Sequence, residues 1–239
     1  MQNVIVRYNL LHNYDGFKEY VIDLLKGGGK LREFSALSDI NLSLEKGSSL
    51  GVVGFNGAGK STLLKVMAGI LKPTEGTAEI NGSVAPLIEL GAGFDNNLTA
   101  IENIYFNAGL RGIPPKTVKY KIDDIIEFAE LEQFIDVPIK NYSSGMRARL
   151  GFASAVLFDA DILIADEALS TGDYKFRKKC EDKIGEIIKK GATLIFVSHS
   201  VSQIETLCSE CLWLDKGKIV MHGKSSAVCR AYEKNIVKG

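Results

Sequence analysis

The sequence predicts an α/β fold with a helical insert, and three observations carry that expectation. Two apolar runs, "DILIAD" at 161–166 and "TLIFVSH" at 193–199, are continuous rather than alternating, as strands buried on both faces of a parallel sheet are, and a polar helix-length stretch separates them. A third run, "SLGVV", leads straight into a glycine-rich loop and then into a helix that stops at Gly69, with Pro73 just beyond. Between these parts, residues from about 98 to 158 carry the 3.6-residue periodicity of helices.

Taken in order, residues 1 to about 86 read as short strands ("NVIVRY", "INLSL", "SLGVV", "TAEINGSV") punctuated by glycines. A helix is expected in the lead-in at "GFKEYVIDLLK", residues 16–26, where Phe17, Tyr20, Val21, Leu24 and Leu25 form one apolar stripe. That stripe either packs on the chain's own core or meets a partner. "TAIENIYFNAGL" opens with Thr99 and Glu102 at capping-box spacing, and "TVKYKIDDIIEFAEL" sets Val118, Ile122, Ile125, Ile126 and Ala129 on one face. In "NYSSGMRARL", residues 141–150, two serines and a glycine stand where a loop turns into a helix, a place where free N–H groups and the helix dipole favour an anion. The expected organisation is one domain: a catalytic α/β lobe from 1–86 and 159–239, interrupted by a helical subdomain at 87–158 that carries this second anion site.

Composition narrows the partners. With 239 residues, 46% of them apolar and 24% charged, the chain is of ordinary globular type and large enough for a sizeable core. Lys plus Arg and Asp plus Glu both number 29, so no overall basic field draws it onto nucleic acid, and no nucleic-acid partner is expected. Its longest apolar runs are strand-length, far short of the roughly 20 residues that span a bilayer, and "MQNVIVRYNL" lacks a secretory signal, so residence in the cytoplasm is the expectation. Four cysteines suit that compartment as free thiols. Cys208 and Cys211 form a C-x-x-C that reads either as a redox or half-metal pair or as buried thiols on one side of a helix.

The chemistry is concentrated in "GFNGAGKST". Gly54, Gly59, Lys60 and Ser61 make the pattern G-x-x-x-x-G-K-S, flanked by the strand and helix the motif requires. Its glycines let successive N–H groups face a phosphate chain, Lys60 reaches the terminal phosphates, and the Ser61 hydroxyl suits Mg²⁺. A metal-bound nucleotide needs a second carboxylate, and "ILIADE" supplies Asp166 for the metal and Glu167 to polarise the attacking water. His199, after the next apolar strand, is either a packing residue or a contact to the γ-phosphate.

In sequence order, "GFNGAGKST", "YSSGM", "ILIADE", "STGD" and "VSHS" resemble the Walker A, signature, Walker B, D-loop and switch-histidine elements of an ABC ATPase, over nearly the whole chain. The resemblance implies a P-loop NTPase core, a RecA-like lobe with an antiparallel β subdomain, and an inserted α-helical subdomain. It implies ATP and Mg²⁺ as cofactors. Carried over position by position, Gly54, Asn56, Gly57, Ala58, Gly59, Lys60, Ser61 and Thr62 would cradle the phosphates, Asp166 would join Ser61 at the metal, and Glu167 and His199 would be catalytic. Asp173 closes the D-loop match. Tyr8, or failing that Tyr14, would stack on the adenine.

The resemblance also accounts for the second anion site, because in this family the signature of one subunit completes the nucleotide site of another. Ser143, Ser144 and Gly145 would then meet the γ-phosphate across a head-to-tail homodimer. Tyr142-Ser-Ser-Gly-Met146 departs from the commonest signature, Leu-Ser-Gly-Gly-Gln, and is similar to the version in bacterial exporters of lipid-linked polysaccharides: O-antigen, capsule and teichoic acid. "IELGAGFDNNLTAIENI" and the long lead-in are similar to the same group. Where many relatives have a glutamine that senses the transmembrane partner, this chain offers Glu89, which the resemblance would also set beside the metal. The function implied is ATP hydrolysis driving an integral-membrane permease that exports a lipid-linked polysaccharide, O-antigen first, from the cytoplasmic face of the inner membrane. Capsule, teichoic acid or another lipid is the alternative cargo, and a soluble ABC ATPase acting on ribosomes or DNA is a third reading.

Overall fold

The computed structural model describes residues 1–10, 32–88, 90–91, 93–166, 173–198 and 200–236. The predicted helix at 16–26, Tyr14, Glu89, Glu167 and His199 lie outside the described residues. Two sheets form the framework. The larger has the order β5-β6-β7-β3-β8-β9, made of β3 (Ser49–Val53), β5 (Val84–Leu87), β6 (Ile162–Asp166), β7 (Thr193–Val197), β8 (Glu210–Asp215) and β9 (Lys218–Lys224). All its pairings are parallel except the β8–β9 hairpin. The smaller is antiparallel, with β1 (Gln2–Leu10) between β2 (Arg32–Ile40) and β4 (Glu75–Thr77).

The continuous apolar runs follow from burial on both faces. Side chains alternate along a strand, so Leu163 and Ala165, Leu194 and Phe196, and Cys211 and Trp213 enter one core, while Ile164, Ile195 and Val197, and Leu212 and Leu214 enter the other. The first core is covered by helices: α2 (Ala100–Leu110), α3 (Pro115–Ala129), α4 (Ser144–Val156), α5 (Tyr174–Lys189), α6 (Val201–Leu207) and α7 (Ser225–Ile236). The second lies between the large sheet, the small sheet and α1 (Lys60–Met67), with Val4, Val6, Leu37, Leu63 and Leu64 at its centre.

Local expectations hold where the signal was chemical. Thr99 Oγ1 accepts from the Glu102 N–H, and the Glu102 carboxylate accepts from the Thr99 N–H, a closed capping box at the start of α2. The Thr99 N–H and hydroxyl, both donating to the Glu102 carboxylate, hold that carboxyl below its ordinary pKa. On α3, Val118, Ile125, Ile126 and Ala129 are buried, and Ile122 packs against them. Two strand expectations were too long. Of "INLSL" only Ile40 is in a strand, and "TAEINGSV" is split into the end of β4, a loop and the start of β5. Alternation alone does not show where pairing partners run out.

Thr99→Ala is expected to cost about 1 kcal/mol by removing a cap. For a chain of this size that corresponds to roughly 2–4 °C in thermal midpoint, readable by calorimetry.

Candidate nucleotide site

Parallel α/β sheets place ligands beyond the carboxyl ends of their strands. Here β3 ends at Val53 in the glycine-rich loop, β6 ends in Asp166 and β7 in Val197. These ends open on a cavity of about 350 Å³ lined by residues 56–62, Asp166, Val197, Ala36 and two aromatic rings, Tyr8 and Phe34.

The loop's path depends on missing side chains. A Cβ at Gly54 would stand 2.3 Å from the Leu214 carbonyl oxygen, and one at Gly59 would stand 2.6 Å from that of Ala36. Gly59 has φ +103° and caps α1 without a side-chain hydrogen bond, so the N–H groups of the first turn are left for an outside acceptor. No acidic residue occupies that turn. Lys60 Nζ curls over the loop and donates to the carbonyls of Gly54 (2.7 Å) and Phe55 (3.2 Å). Burial lowers the Lys60 pKa from its usual value, and the charge of Asp166 opposes that shift. An anion beside this ammonium would be stabilised by charge and by the helix terminus together.

Ser61 is exposed on the first turn of α1, and Asp166 is half-buried at the end of β6 on the same cavity. A hydroxyl and a carboxylate are hard oxygen donors of the kind Mg²⁺ takes, alongside phosphate oxygens and water. The residues present therefore fit that ion.

Of the predicted nucleotide and metal residues, the cavity collects Tyr8, Asn56, Gly57, Ala58, Gly59, Lys60, Ser61, Thr62 and Asp166. It does not include Gly54, Ser143, Ser144, Gly145 or Asp173 among its lining residues. Phe34 was not anticipated. Tyr8 and Phe34 are paired directly across β1 and β2, and the two rings stand 40% and 50% exposed at the cavity's edge. Only the strand register shows that pairing.

The segment predicted as a second anion site is a separate helix start. Ser143 caps α4, its Oγ accepting from the Met146 N–H at 3.1 Å, which leaves the N–H groups of Ser144 and Gly145 in the first turn. Among the described residues, a Cβ at Gly145 would meet only Ser143 Oγ, at 3.8 Å, which leaves room for a ligand at that turn. Deeper in the same helix, a Cβ at Gly151 would come within 2.5 Å of the Gly91 nitrogen, so α4 lies directly on the backbone of the segment that follows residue 89.

Arg149 ties this helix to the D-loop region. Its guanidinium pairs with Asp173 and Glu130 and lies 4.8 Å over the Phe176 ring. Asp173 also caps α5, accepting from the Phe176 N–H at 2.9 Å, which holds its carboxyl below the usual range together with the charge of Arg149. The cysteine expectation needs one correction. Cys208 and Cys211 are buried, but one ends α6 and the other lies in β8, not on one side of a helix. Burial pushes the Cys208 thiol up to about 12 and raises Cys211 as well.

Comparison with known proteins agrees with this geometry. The sequence profile of the ABC transporter family matches residues 37–170, more than half of the chain. The O-antigen export system ATP-binding protein RfbB of Klebsiella pneumoniae is 42% identical over 238 residues, covering 97% of this chain and 95% of its own length. The teichoic acids export ATP-binding protein TagH of Staphylococcus haemolyticus is 41% identical over 98% of this chain and 87% of its own length. Among solved structures, a dimeric post-hydrolysis state of the ATP-binding cassette MJ0796 bound to ADP and Pi superposes with a TM-score of 0.73 at 20% identity, covering 94% of this chain and 97% of that one. The chain belongs to the ABC transporter family, with the fold of an ATP-binding cassette.

Phe34→Ala and Tyr8→Ala are each expected to weaken ATP binding. The loss of a ring contact worth about 0.5–1.5 kcal/mol corresponds to roughly two- to tenfold in Kd. Titration with a fluorescent ATP analogue checks this, and unchanged affinity in both variants would remove the rings from the site.

Proposed function

We propose that the chain is the ATP-hydrolysing subunit of an ABC exporter and that it acts as a homodimer in which each signature segment serves the partner's nucleotide. One observation carries this reading. The cavity holding Lys60, Ser61 and Asp166 is not lined by the second phosphate-type helix start at Ser143–Gly145, which is open to an outside acceptor. One chain with two half-sites calls for a second copy.

The roles follow from placement. The backbone of residues 56–62 and Lys60 would bind and orient the triphosphate; Ser61 and Asp166 would hold Mg²⁺, which would supply charge neutralisation to the phosphates. Glu167, next after Asp166, is proposed to orient the attacking water, His199 to contact the γ-phosphate, and Glu89 to complete the metal's surroundings. Asp173 is proposed to act at the dimer interface, since its carboxylate already joins the signature helix to α5 through Arg149.

The cargo reading rests on the relatives. Their names speak of O-antigen and teichoic acid export, at similar identity and over nearly the full chain, which supports a lipid-linked polysaccharide as the cargo proposed here. O-antigen is the first choice because the RfbB relative matches over more of its own length. Among the described residues no helix is long and apolar enough to cross a membrane. The relatives' export names support an integral-membrane permease as the partner, which would hold this subunit at the cytoplasmic face of the inner membrane. An apolar cleft of about 510 Å³ between β5, α2 and α4, edged by Ile70 and Leu110, offers a surface for such a partner.

Glu167→Gln is expected to keep ATP binding while lowering turnover by about 10²- to 10⁴-fold, the usual contribution of a positioned general base, as read by phosphate release. Dimerisation is tested by cross-linking. With Asn56→Cys and Ser144→Cys in one Glu167→Gln chain, a bifunctional reagent in MgATP should give a covalent dimer on a denaturing gel. A purely intramolecular cross-link would refute the shared site.

A further inference from the structure

The phosphate loop is held from below by the end of the β8–β9 hairpin. The Gly217 N–H donates to the Ala58 carbonyl at 2.9 Å, the Ser38 N–H donates to the Gly217 carbonyl at 2.8 Å, and the Leu214 carbonyl fills the space that a side chain at Gly54 would need. One more contact reaches the loop from farther along the chain. Phe55, the second residue of the loop, has its ring 5.6 Å from that of Tyr232 on α7, and Tyr232 lies 5.7 Å from Trp213 on β8 in an edge-on arrangement. The three rings connect the loop, through the last described helix, to β8.

The Phe55–Tyr232 contact is not needed to complete the core. Tyr232 and Trp213 are 8% and 9% exposed and belong to the helical-side core, whereas the Phe55 ring is 43% exposed and lies outside it. What the contact reaches is the loop backbone. The Phe55 carbonyl accepts from the Ala58 N–H at 3.1 Å and from Lys60 Nζ at 3.2 Å, so the residue held by Tyr232 also fixes the turn that presents the loop's N–H groups and positions the ammonium. A phosphate chain competes for the Lys60 protons that Phe55 now accepts. A ligand that takes those protons changes the forces on Phe55, whose ring contact leads by way of Tyr232 to Trp213. Trp213 is the single tryptophan of the chain, and its buried indole N–H has no partner among the described residues, so packing alone holds the ring.

We propose that Tyr232 is a positioning residue for nucleotide binding: through Phe55 it sets the phosphate loop, so that α7 tunes ATP affinity, and Trp213 reports occupancy. The proposal rests on the reading of this site as an ATP site. Purified full-length protein is titrated with MgATP while Trp213 emission is followed, and steady-state ATP hydrolysis is measured alongside. Wild type should show a saturable emission change. Tyr232→Leu should raise Kd and KM for ATP about two- to tenfold, the factor an aromatic pair typically supplies, and leave kcat within about twofold. Tyr232→Phe should restore wild-type affinity and signal.

Phe55→Leu alters an exposed ring, so it tests the same line from the other end even if Tyr232→Leu folds poorly. It should abolish the emission change, and the double variant should bind no worse than the weaker single one, because both remove one contact. Wild-type affinity in Tyr232→Leu, a loss confined to kcat and thermal midpoint, or additive losses in the double variant would each overturn the proposal. Failure of the wild type to bind MgATP would instead overturn the nucleotide reading itself.

Discussion

Everything at this site depends on how closely backbone approaches backbone around the loop after β3. A carbonyl oxygen of β8 stands 2.3 Å from where a Cβ of Gly54 would be, and one of β2 stands 2.6 Å from where a Cβ of Gly59 would be. Only glycine permits those approaches, and only with them does the chain turn sharply enough to start α1 with its N–H groups facing outward. Lys60 is then carried back over the loop, where burial makes its charge costly and an anionic ligand welcome. The loop's geometry thus turns the first N–H groups of α1 outward and sets the Lys60 ammonium beside them, with the charge of Asp166 acting on it from the end of β6.

The sheet supplies the rigidity this requires. β3 lies inside the sheet, between β7 and β8, and is buried from Leu50 to Val53, so the loop is anchored on an interior strand. Both faces of that sheet are covered, by helices on one side and by α1 with the small antiparallel sheet on the other. The antiparallel sheet also carries Tyr8 and Phe34 to the cavity, which is how strands distant in sequence from the loop come to bound the site.

The helical segment is joined to the same framework through a few specific contacts. Gly151 lets α4 rest on the backbone at residues 90 and 91, and Arg149 binds α4 to the caps of α3 and α5. Exposed ion pairs contribute little stability singly, but a half-buried arginine shared by two carboxylates and an aromatic face fixes orientation. The start of α4, with its open N–H groups, is therefore held relative to Asp173 by side chains that do not touch the cavity themselves.

The sequence by itself determined what is local and chemical. The spacing of Gly54, Gly59, Lys60 and Ser61, the Thr99–Glu102 box, the Ser143 cap and the apolar strands ending at Asp166 are each short-range patterns whose physical meaning survives any arrangement of the rest. It also offered a second helix start suited to an anion, for which the family resemblance implies a second copy. Tertiary structure alone decided what depends on register and on pairing between distant segments: that Phe34 stands beside Tyr8, that "INLSL" leaves the sheet after Ile40, that Asp173 answers to Arg149, and that Cys208 and Cys211 fall on a helix end and a strand. The same holds for Tyr232, 177 positions after Phe55 (232 − 55) and in ring contact with it. Strand partners and helix docking are set by the fit of many side chains at once, and no window of sequence contains that sum.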